Sequence, residues 1–124
     1  MTLHGTAEVT IVIADDDGLI RMIMRRALAA RYGVVLEAGT ATECQLLVET
    51  RTPDLVITDA HMPGAPIVDR LAEMQRAAPG MPVLVVSGDE TLAESSFNFL
   101  AKPVELDVLL DAVDRLLARD TETR

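Results

Sequence analysis

The chain has 124 residues and a formal charge of −9, enough for one domain with a single good core and ill suited to direct contact with nucleic acid, which needs clustered Lys and Arg. Its lone cysteine, Cys44, rules out an intramolecular disulfide and a cysteine-based zinc site, and no apolar run approaches a membrane span. Apolar residues make up 49% of the chain, yet only Tyr32, Phe97 and Phe99 are aromatic, so Leu, Val, Ile, Met and Ala must fill the core.

Residues 1–7 read as a loose lead-in without a signal-peptide core, and residues 120–124 as a frayed polar end. One domain over residues 1–124, with its core at about 9–119 and a cytoplasmic location, is the expectation. Residues 9–14 form a first strand, and residues 18–31 a helix with apolar positions Ile20, Ile23, Met24, Ala27 and Leu28. Residues 34–37 make a second strand. A helix over 41–51 follows, with Thr40 and Glu43 spaced for a capping box. Cys44 shares the Leu47 and Val48 face of that helix and reads as a core thiol.

The turn signal Thr52-Pro53-Asp54 precedes a β-branched run, residues 55–58, that stops at Asp59, and Pro63-Gly64 bends the chain away. Pro66 is placed to open a helix to residue 77 from its first position. Strands over 82–86 and 97–101 follow, then a helix over 104–119 burying Leu106, Leu109, Leu110, Val113, Leu116 and Leu117. Five strands alternating with helices predict an α/β fold, a doubly wound parallel sheet covered on both faces.

All strands of a parallel sheet end at one edge, where ligands bind near the point at which the strand order reverses. The ends here carry Asp15-Asp16-Asp17, Asp59, Ser87 and Lys102. Carboxylates so grouped suit a hard divalent cation, Mg²⁺ or Mn²⁺. A lysine and a hydroxyl suit the oxygens of a phosphoryl group. Singly, these residues have plainer explanations: solvated turns, a cap, a surface lysine. Their joint placement points to phosphoryl chemistry.

With the acidic cluster, Asp59 followed by Met62-Pro63-Gly64, then Ser87-Gly88 and Lys102-Pro103, the chain resembles the receiver domains of two-component response regulators over roughly residues 9–117. The resemblance implies a flavodoxin-like strand order 2-1-3-4-5. It implies that Asp59 accepts a phosphoryl group from a phosphohistidine on a histidine kinase or histidine phosphotransfer protein. Asp15, Asp16, Asp59 and the backbone carbonyl of His61 would bind the cation, with Asp17 outside its ligand set. Ser87 and Lys102 would bind phosphoryl oxygens, and Ser87 with Phe99 would form the conformational switch that relays the signal to a downstream partner. Such a domain is a phosphoacceptor with slow autodephosphorylation, not an enzyme in the ordinary sense.

The chain departs from that family's pattern twice. Ala65-Pro66-Ile67 stands where an Asp-Gly pair is usual, and only nine residues, 88–96, separate Ser87 from Phe97. A parallel crossover normally needs a dozen or more. The fourth helix should therefore be shortened or missing, leaving a tight loop with a helical turn around 91–94 that orders or moves on phosphorylation. His61 and Asp89, each two residues beyond a site residue, are candidates for setting the lifetime of the phosphoryl group. Leu19, Met22 and Arg26 share a flank of the first helix and form a candidate partner contact. Asp15-Asp16-Asp17-Gly18 also fits the Asp-x-Asp-Gly opening of haloacid-dehalogenase-like Mg²⁺-dependent phosphatases, with Asp15 as nucleophile and Asp17 as acid/base, but that alternative leaves Asp59 and Met62-Pro63-Gly64 unexplained.

Overall fold

Short β-branched runs bounded by turns become strands, and the longer amphipathic stretches between them become helices. A computed structural model describes residues 8–122, so the expected lead-in over 1–7 lies outside the described residues. The order is β1 (Thr10–Ala14), α1 (Gly18–Ala29), β2 (Val34–Ala38), α2 (Ala41–Arg51), β3 (Leu55–Asp59), α3 (Ile67–Ala77), β4 (Val83–Ser87), a 3₁₀ turn (Glu90–Glu94), β5 (Asn98–Ala101) and α4 (Leu106–Glu122). The sheet is parallel throughout with strand order β2-β1-β3-β4-β5, the expected doubly wound topology.

Alternate residues of the central strands feed two cores. Val12, Val56 and Val85 pack with Cys44, Val48, Ile67 and Met74 of α2 and α3. Ile11, Ile13, Ile57 and Leu84 pack with Met24 and Leu28 of α1 and with Leu109, Val113 and Leu116 of α4. Each fully buried aliphatic side chain contributes about 1.5–3 kcal/mol. The cores, not helix propensity, hold these elements in place. Arg31 and Tyr32, just beyond α1, reach across to Asp114 of α4 and tie those two helices together.

Several boundaries and exposures differ from the sequence reading. Pro66 is the N-cap of α3, not its first helical residue: its ψ of 154° is extended, and its carbonyl accepts the first helical bond from Arg70 N. Thr40 and Glu43 do form a cap, but the Glu43 carboxylate reaches Gly39 N at 2.8 Å. The first helix stops at Ala29, where the Arg31 and Tyr32 amides both close onto Leu28 O. The last helix starts at Leu106 and continues to Glu122, past the expected end.

Ile23 and Leu106 are exposed (44% and 40%), against expectation. Ile23 lies one helical step off the buried Met24–Leu28 line, and Leu106 begins the first turn of α4 before that helix settles onto the sheet. Both line an apolar groove of about 400 Å³ between α1 and α4.

The fourth helix is missing, as the nine-residue spacing predicts. The single 3₁₀ turn is capped by Asp89, whose carboxylate accepts from Thr91 N, and Leu92 is half-buried against the α2–α3 core. Without a full helix beside it, β5 remains a half-exposed edge strand.

Candidate functional site

Strand register brings the predicted residues together. Asp59 ends β3 and Ser87 ends β4, while Lys102 directly follows β5 and hydrogen-bonds through its amide to Ser87 O at 2.9 Å. Lys102 Nζ donates to Asp59 Oδ2 at 2.7 Å and to Asp15 Oδ2 at 3.0 Å. Asp15 is 1% exposed, and its carboxylate is held by Lys102 and by the Asp17 amide bonded to its Oδ1. Partial burial pulls the Lys102 pKa down, but the hydrogen bonds and charges of Asp59 and Asp15 outweigh it and leave the ammonium above its ordinary value.

Carboxylate oxygens of Asp15, Asp16 and Asp59 lie within 4.8 Å of one another. Three hard oxygen donors at that separation, at a solvent-facing edge, fit a small divalent cation. Asp17 is not part of the group. Its Oδ1 accepts from Leu19 N and Ile20 N and caps α1, which leaves it poorly placed as the acid/base of a phosphatase.

The Asp59 carboxylate is oriented by His61 N, which donates to Oδ1 at 3.0 Å. The loop carrying that amide needs Gly64, whose φ of 124° is left-handed and whose added Cβ would stand 3.0 Å from the Ala41 Cβ. Ser87 is buried, and its Oγ accepts from Asp89 N at 3.1 Å. His61 Nε2 and Asp89 Oδ2 are 3.1 Å apart, so the two residues singled out beside the site form one clasp across it. Hydrogen bonds from Thr91, and then the one from His61, hold the Asp89 pKa below the usual carboxylate value. Phe99 lies half-buried against the α2–α3 core with Leu92 and Phe97, and Leu19 is exposed (63%) on α1 with Arg26, beside a half-buried Met22.

Two arginines escaped the sequence reading. Arg21 Nη1 donates to the backbone carbonyl of Asp15 at 2.7 Å. Arg70, 4% exposed, donates from Nη1 to the backbone carbonyl of Asp59 at 3.0 Å and from Nη2 to Thr58 Oγ1 at 2.6 Å. The signal for Arg70 was present as a lone charge in the Ile67, Leu71, Met74 stripe of α3.

A parallel sheet of this strand order, with a helix missing and an acidic carboxyl edge, belongs to the flavodoxin-like, CheY-type class of domains. The chain is a member of the response regulator receiver domain family, whose family model matches residues 11–114. It is 34% identical over 117 residues to the DNA-binding transcriptional regulator NtrC of Rhizobium meliloti, covering 88% of this chain and 24% of that protein. To the transcriptional regulatory protein GlrR of Escherichia coli it is 31% identical, covering 86% of this chain and 26% of that one. The chain thus spans about a quarter of the length of these relatives.

Among solved structures, the receiver domain of the hybrid histidine kinase CckA is 32% identical, with a TM-score of 0.76 over 87% of this chain and 98% of that chain. A CheY-like receiver domain protein from Methanospirillum hungatei superposes with a TM-score of 0.86 at 23% identity, over 95% and 100% of the two chains, a likeness of fold. This is therefore a receiver domain of two-component signalling. Among the described residues, no helix is long and apolar enough to cross a membrane.

Proposed function

We propose that the whole chain is a single cytoplasmic receiver unit that accepts a phosphoryl group onto Asp59 from the phosphohistidine of a histidine kinase or histidine phosphotransfer protein. The observation that carries this reading is Lys102 Nζ bridging Asp59 and Asp15 at the carboxyl edge of the sheet. Asp59 attacks phosphorus while the P–N bond to the partner's imidazole breaks, and the electron pair returns to the ring nitrogen. Lys102 moves onto a phosphoryl oxygen and the Ser87 hydroxyl takes another. Asp15, Asp16, Asp59 and the His61 carbonyl would hold Mg²⁺ or Mn²⁺, which offsets repulsion between a dianionic phosphoryl group and the clustered carboxylates. Borohydride trapping after treatment with acetyl phosphate and Mg²⁺ should mark Asp59; a mark on Asp15 would instead favour the haloacid-dehalogenase-like reading.

The His61–Asp89 clasp supports a role in phosphoryl lifetime. Breaking it should open the edge of the site to water and speed dephosphorylation severalfold in His61→Ala and in Asp89→Ala. The double variant should be no faster than either single one, because both lose the same contact. Decay rates equal to wild type in both single variants would remove the idea.

Relay would run through Ser87 and Phe99 to residues 88–96. A 3₁₀ turn of five residues with only Leu92 half-buried opens locally at low cost. Amides of 88–96 are expected to exchange rapidly in the unmodified protein and to gain protection with beryllofluoride bound at Asp59. Equal protection in the two states would count against a moving loop. The exposed Leu19, with Met22 and Arg26, is the proposed surface for the histidine-bearing partner. Unchanged phosphotransfer in Leu19→Ala and Met22→Ala would dismiss it.

A further inference from the structure

Arg70 is a buried cation that makes no ion pair among the described residues. A guanidinium cannot shed its proton, so burial does not neutralise it, and a buried charge without a countercharge is costly. An apolar side chain would suit the surroundings equally well, since Ile67 and Met74 of the same helix face lie in the α2–α3 core and the buried Cys44 thiol is close enough to feel the guanidinium. What the charge does have is a place behind the phosphoryl site. Its Nη1 holds the Asp59 carbonyl, and its Nη2 holds Thr58 Oγ1, which itself donates to that carbonyl at 2.9 Å. The last peptide of β3, from which the Asp59 side chain projects, is thereby clamped from below.

We propose that Arg70 is a positioning residue for the phosphoryl-accepting carboxylate. It fixes the end of β3 so that Asp59 meets the incoming phosphorus in one orientation. Its fixed charge also offsets negative charge gained at the site: with acetyl phosphate, the Asp59 O–P bond forms as the P–O bond to acetate breaks and acetate leaves with the electron pair. Asp59 then exchanges one carboxylate charge for about two on the acyl phosphate. This inference rests on the phosphoacceptor reading of Asp59.

The test uses the full chain and R70M, which fills the same path without charge. R70M should remain folded and close to wild type in urea, because shedding the buried charge offsets the loss of its two hydrogen bonds while Thr58 Oγ1 still bonds the Asp59 carbonyl. Its limiting rate of phosphorylation by acetyl phosphate should nonetheless fall about tenfold, with the half-saturating donor concentration unchanged, as expected when orientation is lost and binding is not. R70K should recover part of the rate, and Thr58→Val should lose severalfold. In the unmodified protein, the Ala60 and His61 amides should exchange faster in R70M than in wild type.

An unchanged limiting rate in R70M, with wild type labelled on Asp59, overturns this inference and leaves the Asp59 reading standing. Failure of wild type to label on Asp59 overturns both. Should R70M not fold, wild-type rates in both R70K and Thr58→Val overturn it, and a slowed Thr58→Val upholds it.

Discussion

Asp59→Asn should carry no phosphate after incubation with acetyl phosphate and Mg²⁺, whereas the wild-type chain should show a single adduct by intact mass. The amide replacing the carboxylate is not a nucleophile toward phosphorus. Of the neighbouring acids, Asp15 is buried against Lys102, Asp17 caps α1 and Asp89 is held by Thr91 and His61, and Asp59 is the carboxylate that Lys102 and the His61 amide hold at the end of β3. Chelating the divalent cation should stop wild-type labelling just as completely. Three carboxylate oxygens within 4.8 Å of one another face a single ammonium, and an arriving phosphoryl dianion adds to that excess. An adduct of equal yield on Asp59→Asn would move the nucleophile elsewhere. An undiminished yield with chelator would take the cation out of the reaction.

Lys102→Met should destabilise the unphosphorylated protein by about 2 kcal/mol, less than for a fully buried pair because the lysine is partly exposed. Its side chain is 23% exposed, whereas the Asp15 side chain it neutralises is at 1%. Removal strands that carboxylate with the Asp17 amide as its remaining hydrogen bond among the described residues. Added Mg²⁺ should stabilise the variant more than wild type, since a cation bound only by the folded state raises stability by mass action and here replaces the missing charge.

The raised pKa of Lys102 sets the pH window for this difference. A folded-state pKa above the unfolded one means that the contribution is complete below the ordinary value of 10.5 and is lost as pH climbs through the raised value. The gap between wild type and variant should therefore hold from neutral pH up to about 10.5 and close as pH rises through the raised value. Urea titrations at two Mg²⁺ concentrations would decide; a gap insensitive to Mg²⁺ would show that the lysine is not acting as a countercharge.

The elements themselves were legible because each has a local cause. The run Leu55-Val56-Ile57 has the composition and length of a strand buried on both faces, and it is one. The nine residues between Ser87 and Phe97 are too few for a helical crossover, and a 3₁₀ turn stands there. Placement of Asp59, Ser87 and Lys102 at one edge followed from all strands being parallel. Local pattern was weaker for residues at the margins of a buried stripe. Ile23 and Leu106 carry apolar side chains at helical spacing, yet how far a helix rotates onto its sheet decides whether they are covered.

Composition and periodicity by themselves determined the α/β class, the alternation of elements and the residue types at the sheet edge, because those depend on neighbours along the chain and on strand direction. Only the tertiary structure decided which groups touch. The two hydrogen bonds from Lys102 to Asp59 and Asp15, the His61–Asp89 clasp and the burial of Arg70 under Asp59 each join different elements. Arg70 shows the difference most plainly. In sequence it is one charge interrupting an apolar stripe, a feature equally compatible with a side chain reaching out to water. Its burial and its bond to the Asp59 carbonyl follow from how α3 packs beneath the end of β3, a through-space arrangement that hydrophobic periodicity along either element does not encode.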